Sequence, residues 1–198
     1  MEITTDNWAF VIALAAVVNG LGIVRLLSSL GEYLKNYSSL NIRHYWVYNL
    51  LAVFQLLAHL LLWWSILGLR SAENINFLSY LYLLIGPTLL YLGTSVIIPE
   101  PESKSLDMRI EYYKFRKSYF SILAGFWLWA IFVWPVFGHD FAPTVPMILI
   151  WLAISVALRI TENPKVHASL IIANCAVFAS FVAMYAMQLG AVGSQMVQ

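Results

Sequence analysis

Charge is scarce along this chain. Only 11% of its 198 residues are Asp, Glu, Lys or Arg, whereas an ordinary soluble domain carries about 25%. So few charges cannot coat the surface of a soluble fold of this length. The formal net charge is only +1, which removes the strongly basic face that a nucleic-acid partner requires. Cysteine is nearly absent too. The single Cys175 permits neither an intrachain disulfide nor a multi-thiolate metal site, and its apolar surroundings read as packing.

Other absences narrow the chemistry. No lysine falls inside an apolar run, which excludes a retinal-type Schiff base. No carboxylate lies in those runs, and no HExxH, GxSxG or Walker pattern occurs, so an enzyme is not expected. A regular Arg ladder and a potassium-filter sequence are missing. Paired haem ligation would need two His at matching depth, but His59 is alone at mid-run while His44 and His167 lie at run edges. No metal and no cofactor is therefore expected.

What the chain has in abundance is apolar sequence, 61% of residues, with a mean hydropathy of +0.76. Crossing about 30 Å of hydrocarbon takes about 20 apolar residues in a helix. Six such runs emerge, at about 8–30, 45–69, 77–98, 119–137, 142–158 and 168–190, the fifth being the shortest. Charges and helix breakers separate them, as in Pro99-Glu100-Pro101-Glu102 and Thr161-Glu162-Asn163-Pro164. The start of the chain shows no basic residue ahead of its first run, so that run is read as a retained helix rather than a cleaved signal. The expected fold is all-α: one polytopic membrane domain over 1–198 with six transmembrane helices and no internal repeat.

Basic residues set the expected orientation, because Lys and Arg in short loops stay cytoplasmic. Lys35, Arg43, Lys104, Arg109, Lys114, Arg116, Lys117, Arg159 and Lys165 share one side, against Arg70 on the other. Both termini then lie outside, in a plasma membrane or in the inner membrane of a Gram-negative cell. The loop 100–118 carries Leu106, Ile110 and Tyr113 at helical spacing among charges and predicts a cytoplasmic interfacial helix before the fourth span. Its Lys114, Arg116 and Lys117 are placed for contact with anionic lipid headgroups.

Polar residues inside the runs are the candidate site. Tyr48, Gln55 and His59 share one face of the second span, Asn19 lies halfway along the first, and Asn174 follows in the sixth. Asn19, Gln55, His59 and Asn174 are expected near one depth, either as a hydrophilic pathway or as interhelical hydrogen-bond glue. A second cluster, at the cytoplasmic edge, is expected from Arg25, Glu32, Glu100 and His167. Arg25 either snorkels to headgroups, pairs with Glu32 or holds an anion.

Small residues predict close helix contacts at Ala9, Ala13, Ala16 and Gly20, and at Ser79, Gly86 and Gly93. They serve internal packing or a homo-oligomer. The fourth and fifth runs, aromatic and aliphatic, predict a peripheral, lipid-facing hairpin around an inner group of spans one, two, three and six. The functional expectation is a homo-oligomeric channel or transporter-like protein for an ion or small solute. The alternative is a non-enzymatic accessory or sensor subunit that binds a protein partner or anionic lipid. A lipid-acting enzyme using His44, Glu32, Glu100, Glu162 and His167 stands third.

Overall fold

The computed structural model describes residues 5–36, 41–66, 69, 76–99 and 105–187, and the side chains among these from residue 12 onward. The chain is nearly all helical: α1 (Thr5–Asn36), α2 (Trp46–Ile66), α3 (Phe77–Ile97), α4 (Met108–Val136), α5 (Val145–Ile160) and α6 (Pro164–Phe181), the last running into a π-helical turn at Val182–Ala186. Two short strands, β1 (Asn41–Arg43) and β2 (Ser105–Asp107), interrupt the helices.

Local chemistry sets the helix starts. Asn76 accepts from the Leu78 and Ser79 amides while Ser79 Oγ accepts from the Asn76 amide, a reciprocal cap that opens α3. Asp107 caps α4 through the Arg109 and Ile110 amides. Asn163 accepts from the Lys165 amide, and Pro164 takes the first position of α6, where its missing N–H costs nothing.

Five helices are long and apolar enough to cross a membrane, which makes this a multi-pass membrane protein. The fifth expected run is shorter than these. The turn at Pro143 and Thr144 holds its helix back to Val145, with Pro146 in the first turn, and its 16 residues span only about 24 Å.

Three features depart from the sequence expectations. The interfacial helix expected before the fourth span is not a separate element: α4 runs without a break from Met108 to Val136. No Gly or Pro occurs between its cap and Ala124, and the charged residues of its first turns alternate with buried Tyr112, Phe115 and Tyr119. Second, the loops preceding α2 and α4 meet as a two-stranded parallel ribbon, with Ile42 opposite Leu106 and Arg43 Nη1 3.5 Å from Asp107 Oδ2.

Third, α4 is an inner helix rather than a lipid-facing one. Half of its apolar stretch is buried, against 17% for α1 and 22% for α6. The aromatic side chains that suggested lipid contact fill the protein interior instead: Trp127 stacks on Trp151 at 4.6 Å, and Trp129 lies against Tyr82. Helix α1 is outermost and packs on α2 and α3 through Ala15, Asn19 and Gly22. It is thus turned away from the expected small-residue stripe, of which Ala13 is exposed and Gly20 has open space around it; the side chain of Ala9 lies outside the described residues.

A candidate intramembrane polar site

Four helices contribute to one hydrogen-bonded chain near the middle of the bundle. Asn19 on α1 meets His59 on α2 twice, with Oδ1 2.7 Å from His59 Nδ1 and Nδ2 donating to the His59 carbonyl at 3.0 Å. His59 Nε2 lies 2.9 Å from Thr94 Oγ1 on α3. Gln55 Nε2 donates to Thr94 Oγ1 at 3.2 Å and to the Leu90 carbonyl at 2.9 Å. Tyr119 of α4 donates its hydroxyl to Gln55 Oε1 at 2.7 Å.

The donor and acceptor inventory orders the protons. Asn19 Oδ1 can only accept, so His59 carries its hydrogen on Nδ1. Nε2 then accepts from the Thr94 hydroxyl, whose oxygen in turn accepts from Gln55. Every polar atom of the chain between Asn19 and Gln55 is used. Gln55 and His59 are fully buried, Thr94 likewise, so each bond replaces one that water would otherwise make. Two glycines admit the side chains: Gly22 lies directly against the His59 ring, and Gly93 leaves a Cβ position 3.4 Å from Gln55 Nε2.

Of the five residues expected to form this site, the structure joins Asn19, Gln55 and His59. Tyr48 shares their face of α2 but donates to the Ile97 carbonyl at 2.8 Å, nearer the ribbon end. Asn174 is buried without a hydrogen bond to the chain among the described residues. Its helix meets α2 through Phe178 and Phe54, and Phe54 points about 100° away from Gln55. Thr94 and Tyr119 were missed by sequence reasoning. A lone Thr beside Gly93 was the available signal for the first, while Tyr119 stood at the very start of its run, away from the expected mid-run level.

The expected edge cluster is dispersed. Arg25 and Glu32 are exposed on α1, and Glu100 lies outside the described residues. His167, on α6, is buried, accepts from the Tyr112 hydroxyl at Nδ1 (2.7 Å) and donates from Nε2 to the Thr161 carbonyl at 3.0 Å. Lys114 and Lys117 are exposed, but Arg116 is not a headgroup contact: its side chain is 3% exposed and Nη2 bonds Glu162 at 2.9 Å. Arg116 follows Tyr112 by four residues and precedes Tyr119 by three, which puts it on the buried stripe of α4. No cluster of three or more His, Cys, Asp or Glu suited to a metal ion occurs among the described residues.

Beside the polar chain, toward the ribbon end, lies a half-enclosed cavity of about 360 Å³ between α1, α2 and α3. Leu26, Leu30, Ala52, Val53 and Leu56 form its apolar depth, and Tyr33, His44 and Asn49 its polar end, where Tyr33 Oη lies 3.2 Å from His44 Nδ1. A smaller cavity of about 90 Å³ occupies the opposite end among Leu62, Ile66, Trp127, Trp134 and Trp151. Asn19, Gln55, His59 and Asn174 line neither.

Comparison with known proteins finds no matching family model, no similar curated protein and no similar solved structure. The class is thus given by the fold alone: a multi-pass helical membrane protein, organised around a buried polar chain and a cavity.

The chain of hydrogen bonds gives a first prediction. Thr94→Val keeps the shape of the side chain but leaves His59 Nε2 without a donor and removes one acceptor from Gln55. An unmade buried hydrogen bond costs about 1–3 kcal/mol, and interhelical ones in membranes average less. We expect a loss of about 1 kcal/mol in detergent-titrated unfolding, with Thr94→Ser near wild type.

Proposed function

We propose that this chain is a non-enzymatic membrane protein that binds an anionic lipid, with one acyl chain in the α1–α2–α3 cavity and the headgroup at the ribbon end. The cavity carries the reading: its volume of about 360 Å³ falls in the range of about 300–1,000 Å³ usual for ligand sites, and its lining grades from aliphatic to polar along the helices toward the ribbon end. Lys35 is exposed two residues beyond Tyr33, and Arg43 adjoins His44 with its side chain 82% exposed. These cations suit an anionic headgroup.

The Lys and Arg asymmetry supports an orientation with the ribbon end in the cytoplasm, both termini outside and six crossings. It suits a plasma membrane, or the inner membrane of a Gram-negative cell. The same side carries Lys114 and Lys117 toward the anionic leaflet.

A channel or transporter built on Asn19, Gln55, His59 and Asn174 draws less support. The first three spend their hydrogen-bonding capacity on one another and on Thr94 and Tyr119, and Asn174 stands apart. In liposomes, His59→Ala is accordingly expected to leave ion and solute flux at the background of empty vesicles.

The direct test uses the full chain in phosphatidylcholine nanodiscs with fluorescent phosphatidylglycerol as the probe. Ala52→Trp fills the cavity and is expected to weaken phosphatidylglycerol binding at least tenfold while the thermal midpoint of the protein changes little. Unchanged binding by a folded Ala52→Trp variant would end the proposal.

A further inference from the structure

Arg25 is the one arginine set deep in an exposed helix face among the described residues. It precedes Tyr33 by eight residues on α1, which places its Cα about 12 Å inside the level of the Tyr33–His44 contact. Helical side chains lean toward the N-terminus of their helix. On α1 that direction leads away from the ribbon end and toward the level of Asn19, so reaching the nearby headgroups means turning against the lean.

Its guanidinium has no ion pair or hydrogen bond with any described residue, although the neighbouring positions are apolar. Leu14, Val18, Leu21, Arg25, Ser28 and Glu32 follow one another in steps of four and three, the seam spacing of paired helices. Leu14 and Leu21 are 45% and 53% exposed, Val18 is half-buried, and Arg25, Ser28 and Glu32 are exposed. Helix α1 covers α2 and α3 with its opposite side and leaves this seam open.

We infer that this seam docks a transmembrane helix of another protein, one that carries an aspartate or glutamate at the depth of Arg25. Charge complementarity selects that occupant. A second copy of this chain in the same orientation would set Arg25 against Arg25. It would bring no carboxylate to that depth either, since Glu32, the nearest acid along the seam, lies two turns away. An arginine that faces outward at this depth carries a desolvation cost that a carboxylate on a neighbouring helix would offset, and Ser28 one turn on lets a partner backbone approach closely. The cavity proposed for lipid lies on another side of α1, so the two readings stand or fall separately.

The experiment uses the labelled full chain in phosphatidylcholine vesicles and, as the probe, a polyleucine transmembrane peptide. The peptide carries one Asp eight residues from its lysine-flanked end, and a second peptide carries Leu there. Energy transfer is expected to show the Asp peptide binding at least tenfold more tightly than the Leu peptide. Arg25→Leu should abolish the difference, and Arg25→Lys should retain part of it. Equal binding of the two peptides to the wild-type chain would overturn the inference, as it would if Arg25 were satisfied by lipid phosphate. Transfer between two differently labelled copies of the chain that disappears in Arg25→Leu would overturn it as well, by assigning the seam to self-association.

Discussion

Gly22→Ala is expected to lower the unfolding free energy by about 3 kcal/mol, toward the lower end of the combined cost of overpacking a filled site, about 1–3 kcal/mol, and displacing a buried hydrogen bond, about 1–3 kcal/mol. The added Cβ would lie against His59 Cε1 and 2.7 Å from Nε2, inside any allowed contact. The ring has no room to yield, because Asn19 holds one nitrogen at 2.7 Å and Thr94 the other at 2.9 Å. Gly20, two residues earlier on the same helix, has nothing within 4 Å of its virtual Cβ. Gly20→Ala is therefore expected to stabilise, by about 0.5–1 kcal/mol from backbone entropy alone. Opposite signs for two Gly→Ala changes on one helix cannot come from helix propensity. Reversible unfolding of the purified chain in mixed micelles measures both. The double variant Gly22→Ala with His59→Ala should lose less than the two single losses added together, since removing the ring frees the space. A neutral Gly22→Ala would show that α1 does not seat the imidazole.

The same pair of glycines explains how much was legible in the sequence. Apolar runs of about 20 residues announce membrane helices because lipid offers no hydrogen-bonding alternative to the backbone, and the helices fall where the runs do. Side-chain periodicity also placed Gln55 and His59 on one face of α2, and counting depth from the basic end brought Asn19 to their level. Rotation about a helix axis is different. Lipid and protein interior are both apolar, so the small residues of a helix such as α1 do not by themselves tell inside from outside. The small stripe at Ala13, Ala16 and Gly20 looked as suitable as the one the helix uses, Ala15, Asn19 and Gly22. For the same reason α4, rich in Trp and Phe, looked lipid-facing while it is the inner helix. Asn174 was selected by its expected depth, yet depth says nothing about which neighbour a helix presents to which, and α6 meets α2 on its Phe54 side. Arg116 misled in another way. A Lys and Arg cluster reads as one headgroup-facing patch, but at 100° per residue its middle member turns inward to Glu162 while Lys114 and Lys117 face outward.

Gly86→Ala is expected to match or exceed the loss at Gly22, again about 3 kcal/mol or more, because the clash here is between a helix backbone and the broad face of an indole. A Cβ at Gly86 would meet Trp129 across its six-membered ring, at 2.5 Å from Cζ2 and closer to Cη2 and Cζ3. Trp129 cannot swing clear without breaking its own anchors. Its Nε1 donates to the Tyr82 carbonyl at 2.8 Å, the Tyr82 hydroxyl donates to the Trp129 carbonyl at 2.8 Å, and the two rings stack at 6.1 Å. Gly86 is followed by Pro87, so α3 carries the two poorest helix formers side by side in its middle, and close seating of α4 against that turn is what the arrangement gains. Trp129→Phe, smaller by one ring, should restore part of the stability of Gly86→Ala while costing some of its own through the lost indole bond to the Tyr82 carbonyl. The contact of Gly86 with Trp129 shares no side chain with the chain from Asn19 to Tyr119. Losses at Gly86 and Gly22 should therefore add within about 0.5 kcal/mol. A marked shortfall from additivity would mean instead that α3 shifts as one body when either of its packed faces is disturbed.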